Sequence, residues 1–190
     1  MDESDLSMAQ PSNSSLAGDG WRTVTTWPAV ERPPALWVWL THTGSLTQKL
    51  RTLVEDAFHV QVLRETGIEL AAEDARLLGV PSDSPAQLRE VYLCGAQPLV
   101  FGRTLAAKHG AAQWLEQLGA RPLGDRIFAE QGAVRGEIEV KQVTAPEALY
   151  LDAVRGLSEP PTMLWARRSV LSVQTARLLI YECFLPGVDV

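Results

Sequence analysis

Three ionisable side chains sit in strand-like apolar runs, where a globular chain ordinarily places greasy ones: Glu182 within residues 178–186, Arg89 within 88–94 and Arg103 within 99–105. Period-two alternation puts Leu178, Ile180, Glu182 and Phe184 on one face of a strand, and Leu179, Tyr181, Cys183 and Leu185 on the other. An ionised carboxylate on such a face is costly unless it is paired or hydrogen-bonded, so Glu182 demands a cation, a ligand or a raised pKa. Guanidinium groups hold carboxylates through two-pronged, charge-assisted bonds, which makes Arg89 and Arg103 candidate anion binders. The plainer reading of Arg89 is a structural ion pair with a neighbour such as Glu90. Ser45 reads as a helix cap rather than a nucleophile, and His42, His59 and His109 lack metal-ligand spacing. Cys94 and Cys183 lie in apolar runs and read as small buried hydrophobes. No metal site is expected.

The elements that must position these groups follow from the same pattern. Residues 35–40 predict a short helix. Ser45-Leu46-Thr47-Gln48 is a capping signal for a helix over 46–57, and residues 58–65 alternate as a strand. A helix at 72–78 stops at Gly79, with Pro81 just beyond. The runs 88–94 and 99–105 flank Gly95-Ala96-Gln97-Pro98 and read as a β-hairpin. One register sets Arg89 opposite Arg103 on a single face, while a one-residue slip separates them onto opposite faces; both stay open at this point. A helix at 111–118 precedes Pro122–Phe128, which resembles the opening turn of another helix with free backbone N–H groups. A strand over 134–143 and a helix over 145–154 come next. A second hairpin then joins 163–173 to 176–185 across Gln174-Thr175. Arg167 and Arg168 alternate onto opposite faces, at least one as a solvated or structural surface charge. Six strands arranged mainly as hairpins, with helices between, predict an α+β fold built on an antiparallel sheet.

With 190 residues, 46% of them hydrophobic and 21% charged, the chain suits one globular domain over 35–190. Residues 1–34, rich in Ser, Gly, Pro and Asp, predict a flexible leader, with Trp21 and Trp27 its only large apolar anchors. A net charge of −6 excludes a general nucleic-acid binder, and no apolar run is long enough for stable membrane insertion. The acidic start lacks a secretory signal, so a cytoplasmic protein is expected, and a monomer.

Several of these pieces, in order, resemble the bacterial chorismate pyruvate-lyase family. They are Gly44-Ser45-Leu46-Thr47, Leu88-Arg89-Glu90-Val91, Gly102-Arg103-Thr104, Arg121-Pro122-Leu123-Gly124, Trp165 with Arg167-Arg168-Ser169, and Glu182 with Phe184-Leu185-Pro186. The resemblance runs from about residue 36 to 186. It implies a six-stranded antiparallel sheet with helices packed against it, and a small enclosed pocket under helical flaps. It further implies an enzyme that eliminates pyruvate from chorismate to give 4-hydroxybenzoate for ubiquinone, with no cofactor and a membrane prenyltransferase as next user. By position, Arg89 is expected to bind the ring carboxylate and Glu182 to face the ring oxygen at the other end. Leu46 and Leu123 are expected to supply wall and backbone contacts, and Arg103 to be the second cation. Leu46 stands where the best-known family member has methionine, a nearly volume-conserving exchange.

The residues suit that chemistry. Chorismate is a dianion, and its conversion breaks an ether C–O bond and removes a ring proton. Glu182 is expected to be protonated during turnover, its pKa raised by the apolar face so that it can donate to the ether oxygen, and ionised afterwards to accept from the product phenol. The competing reading is a non-catalytic sensor or carrier of aromatic acids. The fold resembles the effector domain of bacterial regulators, but those carry a helix-turn-helix before it, which residues 1–34, read as a flexible leader, are not expected to supply.

Overall fold

The computed structural model describes residues 20–107, 115, 121–125, 133–173 and 176–188. The strands are β1 (Arg22–Thr23), β2 (His59–Glu69), β3 (Pro85–Cys94), β4 (Pro98–Ala107), β5 (Val134–Arg135), β6 (Glu139–Thr144), β7 (Met163–Val173) and β8 (Ala176–Phe184). They form one antiparallel sheet in the order β1-β6-β7-β8-β4-β3-β2, with β5 pairing β7 beyond the end of β6. The helices are α1 (Pro34–Leu40), α2 (Leu46–Val54), α3 (Ala72–Leu78) and α4 (Ala148–Val154).

Eight strands replace the expected six, for two reasons. Part of the expected leader is built into the fold: β1 pairs with β6, Trp27 is buried edge-on against Trp165, and the Arg168 guanidinium lies over the Trp21 ring. Residues 1–19 of that leader lie outside the described residues. The strand expected over 134–143 is split by residues 136–138, where Gly136 N donates to Val170 O. The helix expected at 111–118 lies outside the described residues except for Leu115, as does the Pro122–Phe128 element beyond Asp125; residues 123–125 are helical.

Local signals explain the other elements. Pro34 opens α1, where its missing N–H costs nothing. Ser45 Oγ accepts from Gln48 N at 3.2 Å and starts α2, and Glu55 at φ 46° breaks that helix, leaving a 3-10 turn to Ala57. Gly79 closes α3 at φ 71°, a conformation that penalises any side chain with a Cβ.

The two sheet faces have different roles. On one, α1 and α2 lay Leu36, Trp39, Leu40, Leu46 and Leu50 over Val91, Val100, Val140 and Phe184. Leu40 and Leu50 are wholly buried, each stabilising the fold by about 1.5–3 kcal/mol. On the other face, α3 and α4 cover Tyr92, Phe101, Leu105, Leu179 and Cys183. A cross-strand row also runs along this face through Glu90, Arg103, Tyr181, Arg168 and Glu139, each residue opposite the next. Arg103 donates to Glu90 at 2.9 Å and Arg168 to Glu139 at 2.7 Å, so the row pairs opposite charges.

Candidate active site

A pocket of about 580 Å³, including its mouth, opens on the face beneath α2. Its floor comes from side chains that alternation brings to one side: Arg89, Val91 and Leu93 of β3, Gly102 and Thr104 of β4, and Ile180 and Glu182 of β8. Gly102 stands between Val91 and Glu182 in one cross-strand row, and its missing side chain leaves the hollow in front of the carboxylate. The roof is the start of α2, Leu46 and Thr47, together with Leu123 and Gly124. A Cβ on Gly124 would lie 2.7 Å from Thr47 Oγ1, so only glycine lets the two roof segments approach this closely. Arg51 of α2 clamps Asp125 through two 2.8 Å bonds and ties them together.

The pocket is polar at its ends and apolar along its length. At one end Arg89, 2% exposed, donates from Nε to Glu65 Oε1 at 2.8 Å. At the other, Glu182 is 8% exposed and accepts at Oε2 from Arg167 Nε at 2.5 Å. The two Cα atoms are about 12 Å apart, two strand spacings across and two residues along. That gap suits a six-membered ring carrying an anionic group at one end and a hydrogen-bonding oxygen at the other.

Of the five residues singled out from the sequence, Arg89, Glu182, Leu46 and Leu123 share this pocket. Arg103 does not. The hairpin takes the slipped register, Arg89 opposite Thr104 and Glu90 opposite Arg103. Arg103 therefore lies on the far face, paired with Glu90 and Asp152. This corrects its expected place as the second cation.

Two other arginines take that neighbourhood. Arg167, 1% exposed, pairs with Glu182, and its Nη1 donates to the carbonyls of Trp39 and His42 at 2.9 and 2.7 Å, pinning the α1–α2 connection to the sheet. Arg168 is equally buried, so neither is the expected surface charge. Arg135 lines the pocket, held by Ser169 Oγ at 2.6 Å from Nη1. Strict alternation from 134 to 143 would have turned Arg135 away. Between β5 and β6 the register against β7 slips by one residue, because Arg135 pairs Leu171 while Glu139 pairs Arg168, and the slip brings Arg135 to the pocket side.

These cations also correct the expected protonation of Glu182. Burial pushes its carboxyl pKa up, but the charges of Arg167 and Arg135 with the Arg167 hydrogen bond outweigh that and hold it below the ordinary value. Glu182 is thus an ionised acceptor. His42, lowered first by burial and then by Lys49 and Arg167, stays neutral near pH 7. Among the described residues no group of His, Cys, Asp or Glu is placed to hold a metal, and no helix is long and apolar enough to cross a membrane.

The architecture is thus an antiparallel sheet carrying an arginine-flanked pocket under a helical roof. The sequence model of the chorismate lyase family matches residues 21–188, and the chain belongs to that family. A Pseudomonas putida protein named probable chorismate pyruvate-lyase is 37% identical over 154 residues, covering 79% of this chain and 81% of its own. An Azoarcus protein of the same name is 35% identical over 185 residues, covering 90% and 93%. Among solved structures, the effector domain of PhnF from Mycobacterium smegmatis matches with a TM-score of 0.54 at 16% identity, over 75% of this chain and 89% of that one. The C-terminal domain of the histidine utilization repressor from Pseudomonas syringae matches at 0.52 and 11%, over 70% and 94%. These two likenesses show a shared fold.

Proposed function

We propose that this chain is a chorismate pyruvate-lyase that releases 4-hydroxybenzoate and pyruvate. The observation that carries this reading is the polarity of the pocket: a buried arginine at one end, an ionised glutamate at the other and apolar walls between. Arg89 takes the ring carboxylate in a charge-assisted grip, and Leu46 and Leu123 hold the ring. Glu182 sits beside C4, the carbon that carries the hydroxyl and loses its hydrogen. As an ionised group it accepts that proton. The C4–H electron pair becomes the last double bond of the aromatic ring, and the C3–O pair departs with enolpyruvate. Return of the proton to the methylene carbon gives pyruvate. The conversion is redox-neutral and driven by aromatisation, so it needs no electron carrier. The protein's task is to stabilise charge gathering on the leaving enolpyruvate in a water-poor site. In this reading the product feeds ubiquinone biosynthesis through a membrane prenyltransferase.

The decisive assay mixes the purified chain with chorismate and follows pyruvate and 4-hydroxybenzoate, expected in equal amounts. Tight binding of 4-hydroxybenzoate with chorismate left intact would make the protein a carrier or sensor instead.

The protonation state predicts a pH profile. With its pKa depressed from 4.5, Glu182 stays ionised above that value, so kcat/KM is expected to hold from neutral pH down to about 5 and to fall only in stronger acid. A profile that instead falls as pH rises from 5 to 7 would mark Glu182 as a general acid.

The roof clamp predicts a release effect. Arg51 and Asp125 are 45% and 34% exposed, and pairs of this kind contribute at most about 1 kcal/mol. Asp125→Ala is therefore expected to leave the melting temperature nearly unchanged while raising the dissociation rate of 4-hydroxybenzoate about 2- to 5-fold in stopped flow. An unchanged rate would exclude the clamp from gating release.

A further inference from the structure

The charges around Glu182 do not balance. Arg167 and Arg135 both act on this one buried carboxylate, and Lys49 lies close enough to Arg167 for their charges to interact. Arg167 pairs with Glu182 and donates to main-chain carbonyls, although its buried Nη2, too, has no hydrogen-bond partner among the described residues. Arg135 has no bonded counter-charge: Nη1 meets a neutral hydroxyl, Ser169 Oγ, and its buried Nε has no hydrogen-bond partner among the described residues. No carboxylate forms an ion pair with Arg135 among the described residues, although it lines the pocket. A buried guanidinium with an unmet donor is costly unless an anion completes it.

We propose that Arg135 is the carboxylate subsite for the enolpyruvyl arm of the substrate, set beside Glu182 by the one-residue slip between β5 and β6. This rests on the chorismate reading above. Chorismate carries its enolpyruvyl ether at C3, next to the C4 that Glu182 serves, so the arm's carboxylate falls on the same end of the pocket as Arg135. Arg89 keeps the ring carboxylate at the far end. Arg135 thereby binds the leaving group rather than the ring and stabilises negative charge as the ether breaks. The subsite also separates substrate from product: chorismate fills it, while 4-hydroxybenzoate, with a single carboxylate, leaves it empty.

The test compares two non-reacting ligands by calorimetry: 4-hydroxybenzoate, and 3-(carboxymethoxy)-4-hydroxybenzoate, which adds a carboxylate on the ether position. Arg135→Gln is expected to weaken the dicarboxylate by about 30-fold or more and 4-hydroxybenzoate by less than about 3-fold, with Arg135→Lys intermediate because it keeps charge but loses the fork. Ser169→Ala, which releases the anchor of Nη1, is expected to weaken the dicarboxylate selectively to a smaller degree. A parallel loss for both ligands, or a loss for neither, would overturn the subsite. Thermal melts of each variant show whether the fold is retained. If wild type fails to turn over chorismate but the selective loss persists, the lyase reading falls and the subsite stands; if turnover is intact in wild type and Arg135→Gln leaves kcat/KM for chorismate unchanged, the subsite falls alone.

Discussion

Arg167→Ala is expected to lower the unfolding free energy by about 3–5 kcal/mol, the typical result of removing one partner from a buried ion pair. Three costs combine. Glu182, buried and paired at 2.5 Å, loses the guanidinium that keeps it ionised. The carbonyls of Trp39 and His42 lose their donor at a site with little access to water. The α1–α2 connection, which carries the pocket roof, loses its anchor to β7. For a domain of this size the melting temperature should fall by about 6–20 °C, read by calorimetry or urea titration. Replacing both residues, Arg167→Met with Glu182→Leu, should recover much of the loss, because the cost lies in the uncompensated charge. A single-variant loss below about 1 kcal/mol would mean that the pair is solvated rather than buried.

Arg89→Ala is expected to reduce kcat/KM for chorismate by about 2–5 kcal/mol, roughly 30- to 5000-fold. Arg89 also pairs with Glu65, so truncation has two consequences, which exposure separates. Glu65 is 34% exposed and can turn to water, so its loss of partner costs little stability. The ring carboxylate has no such recourse inside the pocket. Glu65→Gln serves as the control, with an expected change in kcat/KM of less than about 5-fold. Because the ring carboxylate persists from substrate to product, the loss should appear mainly in KM and in 4-hydroxybenzoate affinity. A variant that kept wild-type kcat/KM would remove Arg89 from substrate binding.

Much of this architecture was legible from residues alone, where local chemistry decides. The Ser45 cap, the Gly79 stop and the two hairpins depend on neighbours within a few positions, and alternation along β8 puts Glu182 on the pocket face. The misses share a cause: each needed a register or a tertiary contact. Arg22 and Thr23 form a strand only because β6 lies beside them and Trp27 docks on Trp165. Arg103 went to the far face when the hairpin slipped near Leu93 and Cys94. Arg135 came to the pocket through a bulge that only Gly136 hinted at. Arg167 is the instructive case, because its signal was present. A connection of two residues between Val173 and Ala176 fixes every pairing in the hairpin, and counting back along both strands sets Arg167 opposite Glu182. The cation that Glu182 demanded could have been found from the turn length.

The orientation of 4-hydroxybenzoate in the pocket, determined by a crystal structure of its complex, tests the central claim most directly. The account predicts the ligand carboxylate on the Arg89 guanidinium and its phenol oxygen within hydrogen-bond distance of Glu182. A ligand bound the other way round, with its carboxylate on Arg135 and its phenol at Arg89, would contradict it.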